Sequence, residues 1–148
     1  MISEDKSVGF ICMANYCRSP VAKMLLKNKY GNSLKVDSAG IKPLISAGMD
    51  PRSLDYLNEL GIPQKIHTPK KIDKSFIKSS NIIFAMDMTI LMKLNTVFKN
   101  SRTKIKLFSF QHKNLNIMDP YNLSNEKYKK VMNDIKFVID NLSLEEFL

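Results

Sequence analysis

The sequence predicts an α/β fold in which helices cover both faces of a parallel sheet. Short apolar segments typical of strands alternate along the chain with segments whose apolar residues recur at helical spacing. The run Asn81–Met86 is apolar after its first residue, as in a strand that is covered on both faces. The 148 residues, 44% hydrophobic and 25% charged, contain no Pro/Gly/Ser-rich tract, so we expect one domain over residues 1–148.

The first predicted strand, Ser7–Cys12, leads through a tight loop into a predicted helix. The strand is short, apolar and compatible with β structure. In the helix, Ser19 is expected to cap the N-terminus, and Pro20 suits the first turn. A buried apolar face follows, and Gly31 is expected to end the helix.

A second strand is predicted at Leu34–Ser38, followed by a loop over residues 40–49. Asp50 and Pro51 then repeat the signal of a capping side chain with proline at the first helical position. This second helix is expected to run to Gly61 with its leucines at helical spacing, namely Leu54, Leu57 and Leu60.

The remaining elements continue the alternation. Two short helices are predicted, at Asp73–Ser80 and at Asp87–Asn95, on either side of the central strand Asn81–Met86. Lys104–Leu107 is the last predicted strand. A long polar loop over residues 108–123 then leads to a C-terminal amphipathic helix from Ser124, with apolar residues at helical spacing: Tyr128, Val131, Met132, Ile135, Val138, Ile139 and Leu142.

Composition excludes several classes of function. The net charge is +9, but the lysines are scattered along the chain without interleaved aromatic residues, so we expect no nucleic-acid partner. The N-terminus has no basic start followed by an apolar run, and no stretch approaches the roughly 18 apolar residues of a membrane span. We therefore predict a cytoplasmic protein without a membrane span. Cys12, Cys17, His67 and His112 are too few for a disulfide scaffold or a zinc site, so no metal is expected.

Cys12 and Arg18 lie at the two ends of the loop between the first strand and the first helix. In such a loop, successive backbone amides can turn inward, the helix N-terminus adds partial positive charge, and an arginine can contact two phosphate oxygens. The alternative is a buried cysteine beside an ordinary surface arginine. The strand before the loop, Ser19-Pro20 after it and Asn15 within it favour a phosphate-binding loop, which would lie at the carboxyl end of the sheet.

The same positive field favours the thiolate form of Cys12, the form that acts as a nucleophile. In-line attack on a phosphate ester would give a phosphocysteine intermediate. The hydroxyl of Ser19 could donate a hydrogen bond to the thiolate and stabilise it again when it leaves.

The stretch Val-x-x-Ile-Cys-x-x-Asn-x-Cys-Arg-Ser-Pro over residues 8–20 resembles the signature of the low molecular weight protein tyrosine phosphatases. Further similar motifs follow in the family's order: Asp37-Ser-Ala-Gly40, Gly48-Met-Asp-Pro51, Leu60-Gly-Ile62, His67 with Ile72, Ile82 to Asp87, and Asp119-Pro-Tyr121. The resemblance implies a four-stranded parallel sheet, no cofactor, and hydrolysis of phosphotyrosine through a cysteinyl phosphate.

The resemblance also implies roles for individual residues. Asp119 matches the general acid and base, although Asp-Pro-Tyr alone would be interpreted as a turn. Asn15, Ser38 and His67 match positions that hold the loop in shape. Cys17 matches a cysteine that can trap oxidised Cys12 as a disulfide. The expected substrate-binding residues are Met13, Ala14, Asn15, Tyr16, Cys17, Ser19, Leu44 and Tyr121.

Some residues depart from the family pattern. Ala14 replaces a usual glycine, which is acceptable only if its φ is negative. Tyr16 replaces a more common aliphatic residue and could contact a phenyl phosphate. Leu44, Asn122 and the run Lys106-Leu-Phe108 resemble the bacterial branch whose partners are tyrosine autokinases of capsule and exopolysaccharide export. The expected partners are thus a phosphotyrosine protein, such as an autokinase, and inorganic phosphate as the product.

Two other functions use the same loop. An arsenate reductase would need further redox cysteines to carry a disulfide outward, and this chain has only Cys17 beside Cys12. A non-catalytic phosphotyrosine-binding module would need neither a nucleophile nor an acid, whereas Cys12, Arg18 and Asp119 are all present. Asp37 and Asp87 are the other carboxylates near strand ends, and we expect them to be structural.

Overall fold

The computed structural model describes residues 2, 4–63 and 66–148. It contains the predicted four-stranded sheet, in which every neighbouring pair of strands is parallel and the spatial order is β2-β1-β3-β4. The strands are β1 (Ser7–Cys12), β2 (Lys35–Gly40), β3 (Ile82–Ala85) and β4 (Ile105–Leu107). The sheet therefore confirms the predicted fold class, and β1 and β3 occupy its centre.

The described residues form five α-helices around the sheet: α1 (Arg18–Tyr30), α2 (Pro51–Glu59), α3 (Lys74–Ser79), α4 (Met88–Val97) and α5 (Asn125–Asp140). Two 3₁₀-helices follow α1 and α4, at Gly31–Ser33 and Lys99–Lys104. None of the helices in the described part of the chain is long and apolar enough to cross a bilayer.

The alternating side chains of the strands divide the core into two layers. Phe10 of β1 and Phe84 of β3 belong to the cluster packed under α1, α2 and α5. Their neighbours Ile11 and Ile83 point to the opposite face, into the cluster under α3 and α4. Because successive side chains of a strand point to opposite faces, an uninterrupted apolar run supplies both layers at once.

Most of the predicted helix ends are confirmed. The side chains of Asp50, Asp73, Asp87 and Ser124 each accept a backbone N–H in the first turn of the helix that follows them. Gly31 ends α1 with a φ of 59°, a left-handed conformation that glycine adopts at little cost.

The predicted cap at Ser19 is wrong. Helix α1 begins one residue earlier, at Arg18, and no side chain caps it. The hydroxyl of Ser19 instead contacts Cys12 and Asn15. A capping side chain would occupy the amides of the first turn, so its absence leaves these donors facing the loop.

Two other predictions needed correction. Strand β2 begins and ends later than predicted, because Ala39 and Gly40 continue the pairing with Ile11 and Cys12. Helix α2 ends at Glu59, before the predicted end at Gly61. Of the three leucines at helical spacing, Leu54 and Leu60 are 38% and 39% exposed. Only Leu57 of that set is buried, together with Ser53 and Tyr56, which form hydrogen bonds to α5.

Candidate active site

The loop between β1 and α1 turns its carbonyl groups outward. The carbonyl oxygens of Cys12, Met13, Ala14 and Tyr16 accept backbone N–H groups from residues 41–50 at 2.8 to 3.2 Å. The next carbonyl, of Cys17, accepts the hydroxyl of Ser53 at 2.8 Å. Within the described residues, no backbone amide from Met13 to Cys17 donates a hydrogen bond to a protein atom. The loop thus keeps its donors for an anion in its centre.

Asn15 holds this loop in its shape. Its φ of 51° is one of two left-handed values among the described non-glycine residues, and its fully buried side chain forms three hydrogen bonds. The amide nitrogen donates to the hydroxyls of Ser19 (2.8 Å) and Ser38 (3.0 Å), and the amide oxygen accepts the N–H of Lys70 (3.1 Å). The structure therefore brings together Asn15 and Ser38, as predicted.

His67 completes this support. Its Nε2 atom lies 2.7 Å from the carbonyl oxygen of Asn15. Since a carbonyl only accepts, Nε2 carries the proton. Burial lowers the pKa of His67, while the hydrogen bond to Asn15 opposes that shift. At neutral pH the ring is therefore an uncharged donor that ties the loop to the segment after residue 66.

Gly40 lies directly behind the loop. A Cβ atom at this position would be only 2.8 Å from the backbone nitrogen of Asn15 and 2.8 Å from the carbonyl oxygen of Met13. Only glycine allows this close approach of β2 to the loop. Ala14, in contrast, has a negative φ, so the alanine causes no backbone strain there.

The Sγ atom of Cys12 lies 2.9 Å from the hydroxyl oxygen of Ser19. That oxygen also accepts the side-chain N–H of Asn15, and either the hydroxyl or the thiol can donate in the contact with sulfur. A deprotonated sulfur only accepts, so the hydroxyl of Ser19 is the donor whenever Cys12 is a thiolate. A hydroxyl that donates to sulfur stabilises a thiolate more than a thiol. The chain Asn15–Ser19–Cys12 therefore prepares the sulfur for nucleophilic attack.

Arg18 is 2% exposed, and one of its two terminal nitrogens donates to protein acceptors only. Its Nη1 atom donates to Asp87 Oδ2 at 2.6 Å and to the carbonyl oxygen of Ile117 at 2.7 Å. Nε and Nη2 have no protein partner among the described residues, and Arg18 lines the same cavity as Cys12. This free edge can contact two oxygens of a phosphate.

Sequence reasoning treated Asp87 only as a structural residue. Its carboxylate has two functions: Oδ1 caps α4 through the N–H of Ile90, and Oδ2 orients Arg18. The strand-end position of Asp87 beside the phosphate loop was the available signal.

One cavity of about 210 Å³ joins the residues that were predicted separately. Cys12 and Arg18 lie on it, and Asp119 enters it from the loop after β4. The backbone N–H of Tyr121 donates to Asp119 Oδ1 at 3.1 Å. The other lining residues are Met13, Ala14, Tyr16, Cys17, Leu44 and Tyr121. Two predicted substrate contacts, Asn15 and Ser19, do not line the cavity, because both are buried behind the loop.

Aromatic side chains form one wall of the cavity. The rings of Tyr16 and Tyr121 are in edge contact, with centroids 6.1 Å apart. Leu44, which is 44% exposed, also lines the cavity. This wall suits a flat apolar leaving group above the loop.

Arg52 was not identified from the sequence. Its guanidinium pairs with Asp50 at 3.0 Å and donates to the carbonyls of Tyr121 (2.9 Å) and Leu123 (3.0 Å). It also lies 4.0 Å from the centre of the Tyr128 ring. Arg52 therefore connects α2 to the loop that carries Asp119; its position two residues after the helix cap was the only signal.

Cys17 lies beside the ion pair of Arg52 with Asp50. It is 5% exposed, and its Sγ atom is 3.7 Å from Asp50 Oδ2. Burial raises the pKa of the Cys17 thiol to about 12. Cys17 is consequently a neutral thiol at neutral pH.

Comparison with known proteins connects this geometry to a family. The family model described as low molecular weight phosphotyrosine protein phosphatase matches residues 7–146. The Escherichia coli K12 protein named low molecular weight protein-tyrosine-phosphatase Wzb is 31% identical over 121 residues, which is 82% of each chain.

Solved structures show the same fold. The tyrosine phosphatase Wzb from Escherichia coli K30 in complex with sulphate has a TM-score of 0.84 at 25% identity, over 91% of this chain and 94% of that one. The YwlE arginine phosphatase from Geobacillus stearothermophilus has a TM-score of 0.83 at 25% identity, over 91% and 88%. The fold therefore accommodates two kinds of phosphate substrate.

Proposed function

Because the chain belongs to the low molecular weight phosphotyrosine protein phosphatase family, we propose that it hydrolyses phosphotyrosine in proteins through a phosphocysteine at Cys12. The observation that carries this proposal is the common cavity. Cys12, whose sulfur contacts the hydroxyl of Ser19, lines this cavity together with Arg18 and Asp119.

In the first step, Cys12 Sγ attacks the phosphorus in line with the bond to the phenolic oxygen. The S–P bond forms as the P–O bond breaks, and protonated Asp119 transfers its proton to the leaving oxygen. Arg18 and the loop amides stabilise the negative charge on the three remaining phosphate oxygens. This stabilisation is strongest in the transition state.

In the second step, the carboxylate of Asp119 takes a proton from water as the water oxygen attacks the phosphocysteine. The S–P bond breaks, inorganic phosphate leaves, and the thiolate regains the hydrogen bond from Ser19. Asp119 is then protonated again, so the cycle closes.

The cavity walls support an aryl phosphate rather than a guanidinium phosphate. Tyr16 and Tyr121 offer ring edges and faces to a phenyl group. A guanidinium group would need polar partners, and Asp119 is the sole carboxylate among the residues that line the cavity. Phosphoserine has no ring to contact these tyrosines, so we expect it to be a poorer substrate than phosphotyrosine.

The test compares peptides that differ only in their phosphorylated residue. Phosphotyrosine peptides should be hydrolysed, whereas phosphoarginine and phosphoserine peptides should react at least about a hundredfold more slowly. Cys12→Ser should lose all turnover. The proposal fails if the wild type is no faster than Cys12→Ser, or if phosphoarginine is the better substrate. Tyr16→Ile should reduce the preference for aryl phosphates; an unchanged preference would remove Tyr16 from this role.

The same assays address the alternatives. Arsenate turnover with a low-molecular-weight thiol would indicate an arsenate reductase, and tight phosphopeptide binding without hydrolysis would indicate a binding module. The physiological partner that we propose is a bacterial tyrosine autokinase in the cytoplasm, and the similarity to Wzb supports the bacterial branch. Asp119→Ala should retain its phosphorylated substrate in a pull-down, and a different class of captured protein would contradict the autokinase.

A further inference from the structure

The net positive charge of this protein is confined to one segment. Residues 64–118 contain eleven lysines and arginines but only two carboxylates. The other 93 residues contain twelve basic and twelve acidic side chains, so this segment accounts for the entire net charge of +9. Lysines do occur throughout the chain, but over the other 93 residues taken together their charge is balanced by carboxylates.

Much of this segment belongs to the face of the sheet that α3 and α4 cover. Helices α3 and α4, the 3₁₀-helix Lys99–Lys104 and β4 all lie in this segment. Between α3 and the 3₁₀-helix lies an open groove of about 820 Å³, into which lysines project from both sides: Lys74, Lys78, Lys99 and Lys104. Ile77, Val97 and Phe98 add an apolar lining.

The charges of this groove have no counterions in the described part of the protein. Lys74, Lys78 and Lys99 are exposed and form no ion pair with any described carboxylate. Helix α5 is the opposite case, because Lys129, Lys130 and Lys136 each pair with a carboxylate. Uncompensated lysines on two facing elements produce a focused positive potential.

From these observations we propose that the groove, defined by Lys74, Lys78, Lys99 and Lys104, is the docking site for an acidic segment of a partner protein. Carboxylates would pair with the lysines, and apolar side chains between them would contact Val97 and Phe98. Nucleic acid fits the groove less well, because Phe98 is partly buried and there is no exposed aromatic face for base stacking.

The groove is separate from the active site. Its residues include the 3₁₀-helix that precedes the start of β4, whereas the active-site loop follows the end of β1 in the same parallel sheet. The two cavities share no lining residue. An acidic partner could therefore be held while the active site stays open.

The test measures binding of a fluorescein-labelled peptide of repeated Glu-Glu-Leu by anisotropy. The wild type should bind it, and binding should weaken as ionic strength rises to about 0.15 M. The triple variant Lys74→Glu/Lys78→Glu/Lys99→Glu should bind at least about tenfold more weakly. Lys104 is left unchanged, because its Nζ atom also donates to the carbonyls of Ile77 and Ser80.

A matched control changes the net charge equally on α1 and α5, as Lys27→Glu/Lys127→Glu/Lys129→Glu. This variant should keep affinity within about twofold of the wild type, because exposed charges at a distance are screened. The neutral triple Lys74→Gln/Lys78→Gln/Lys99→Gln should fall between the wild type and the reversed variant, and thermal melting verifies that all variants fold.

Equal weakening by the groove and control variants would overturn the proposal, because net charge alone would then explain binding. Tighter binding of a single-stranded oligonucleotide of the same charge as the peptide would also overturn it. Neither result depends on phosphatase activity, so failure here is distinct from failure of the proposed function.

Discussion

The Nη2 atom of Arg52 donates a hydrogen bond of 2.9 Å to the carbonyl oxygen of Tyr121. The same Nη2 atom and the neighbouring Nε pair with the carboxylate of Asp50, whose backbone N–H donates to the carbonyl of Tyr16 in the phosphate loop. Arg52, through Asp50, thus joins the loop that carries Cys12 to the segment that carries Asp119.

Arg52→Ala should lower kcat by roughly ten- to a hundredfold with a smaller change in KM, because the acid loses its position but the phosphate loop remains. The loss should be larger with phenyl phosphate than with p-nitrophenyl phosphate, since the poorer leaving group needs the proton more. Arg52→Lys should restore only part of the rate, because lysine cannot make the same forked contacts. The control is Arg102→Ala, at a remote exposed site, which should leave kcat and KM unchanged. A uniform loss with both leaving groups would contradict a role through the acid.

Asp119→Ala should reduce the rate of phosphoenzyme formation by on the order of 10² to 10⁴, with phosphate affinity nearly unchanged. Single-turnover kinetics with an aryl phosphate measure the first step directly. The loss should be larger for phenyl phosphate than for p-nitrophenyl phosphate, because the poorer leaving group needs the proton more. An equal loss with both substrates would show that another group is the acid.

Gly40→Ala should deform the phosphate loop, because the added Cβ would meet backbone atoms of Asn15 and Met13 at 2.8 Å. We expect a loss of about 1–3 kcal/mol in the free energy of unfolding and at least about a tenfold loss of kcat/KM. Gly61→Ala is the matched control: its φ of 69° makes alanine costly, but no atom lies within 4 Å of the new Cβ. That variant should lose stability and keep kcat/KM, whereas equal losses of activity would show that the loop is not the cause.

His67 should make the protein less stable in weak acid. Its pKa is lowered in the folded state below the ordinary value of 6.5, chiefly by burial, so the unfolded chain binds the proton more readily. Stability therefore falls as pH drops through about 6.5 and levels off below the folded pKa. Thermal melting between about pH 7.5 and 5 should show this decline, and it should be smaller in His67→Gln, which keeps a donor near Asn15. An identical decline in both proteins would assign it to other groups.

Alkylation should distinguish the two cysteines. Because burial raises the pKa of Cys17 to about 12, it stays a thiol at pH 7.5 and should react with iodoacetamide only after unfolding. Both cysteines line the cavity, but Cys12 is the proposed nucleophile and should react first, and inorganic phosphate should protect it. Peptide mapping by mass spectrometry gives both rates, with Cys12→Ser as the control. Fast labelling of Cys17 in the folded protein would contradict its raised pKa.

A disulfide between the two cysteines stays a prediction. In that reaction peroxide would oxidise Cys12 to a sulfenic acid, and Cys17 would attack it and release water. The neutral state of Cys17 makes this step slow unless a local opening exposes the thiol. Non-reducing peptide maps after peroxide treatment, compared between the wild type and Cys17→Ser, would reveal the linkage.

Sequence alone was sufficient for features that depend on neighbouring residues. The strand–loop–helix unit that holds Cys12 and Arg18 is local, and so are the caps at Asp50, Asp87 and Ser124, because a capping side chain reaches backbone atoms only two or three residues away. The apolar run Asn81–Met86 likewise predicted a central strand, since one strand fills both core layers.

Tertiary structure decided which distant groups meet. Three contacts join residues that are far apart in the chain: the ion pair of Arg18 with Asp87, the hydrogen bond from Arg52 to Tyr121, and the ring contact of Tyr16 with Tyr121. No periodicity in the sequence predicts them. The prediction that Ser19 caps α1 was wrong for the same reason, because the hydroxyl of Ser19 contacts the sulfur of Cys12 instead. The sequence by itself therefore determined the phosphate loop, whereas packing of the loop after β4 against α2 determined where Asp119 lies, because side-chain contacts over long separations form only when the whole sheet is assembled.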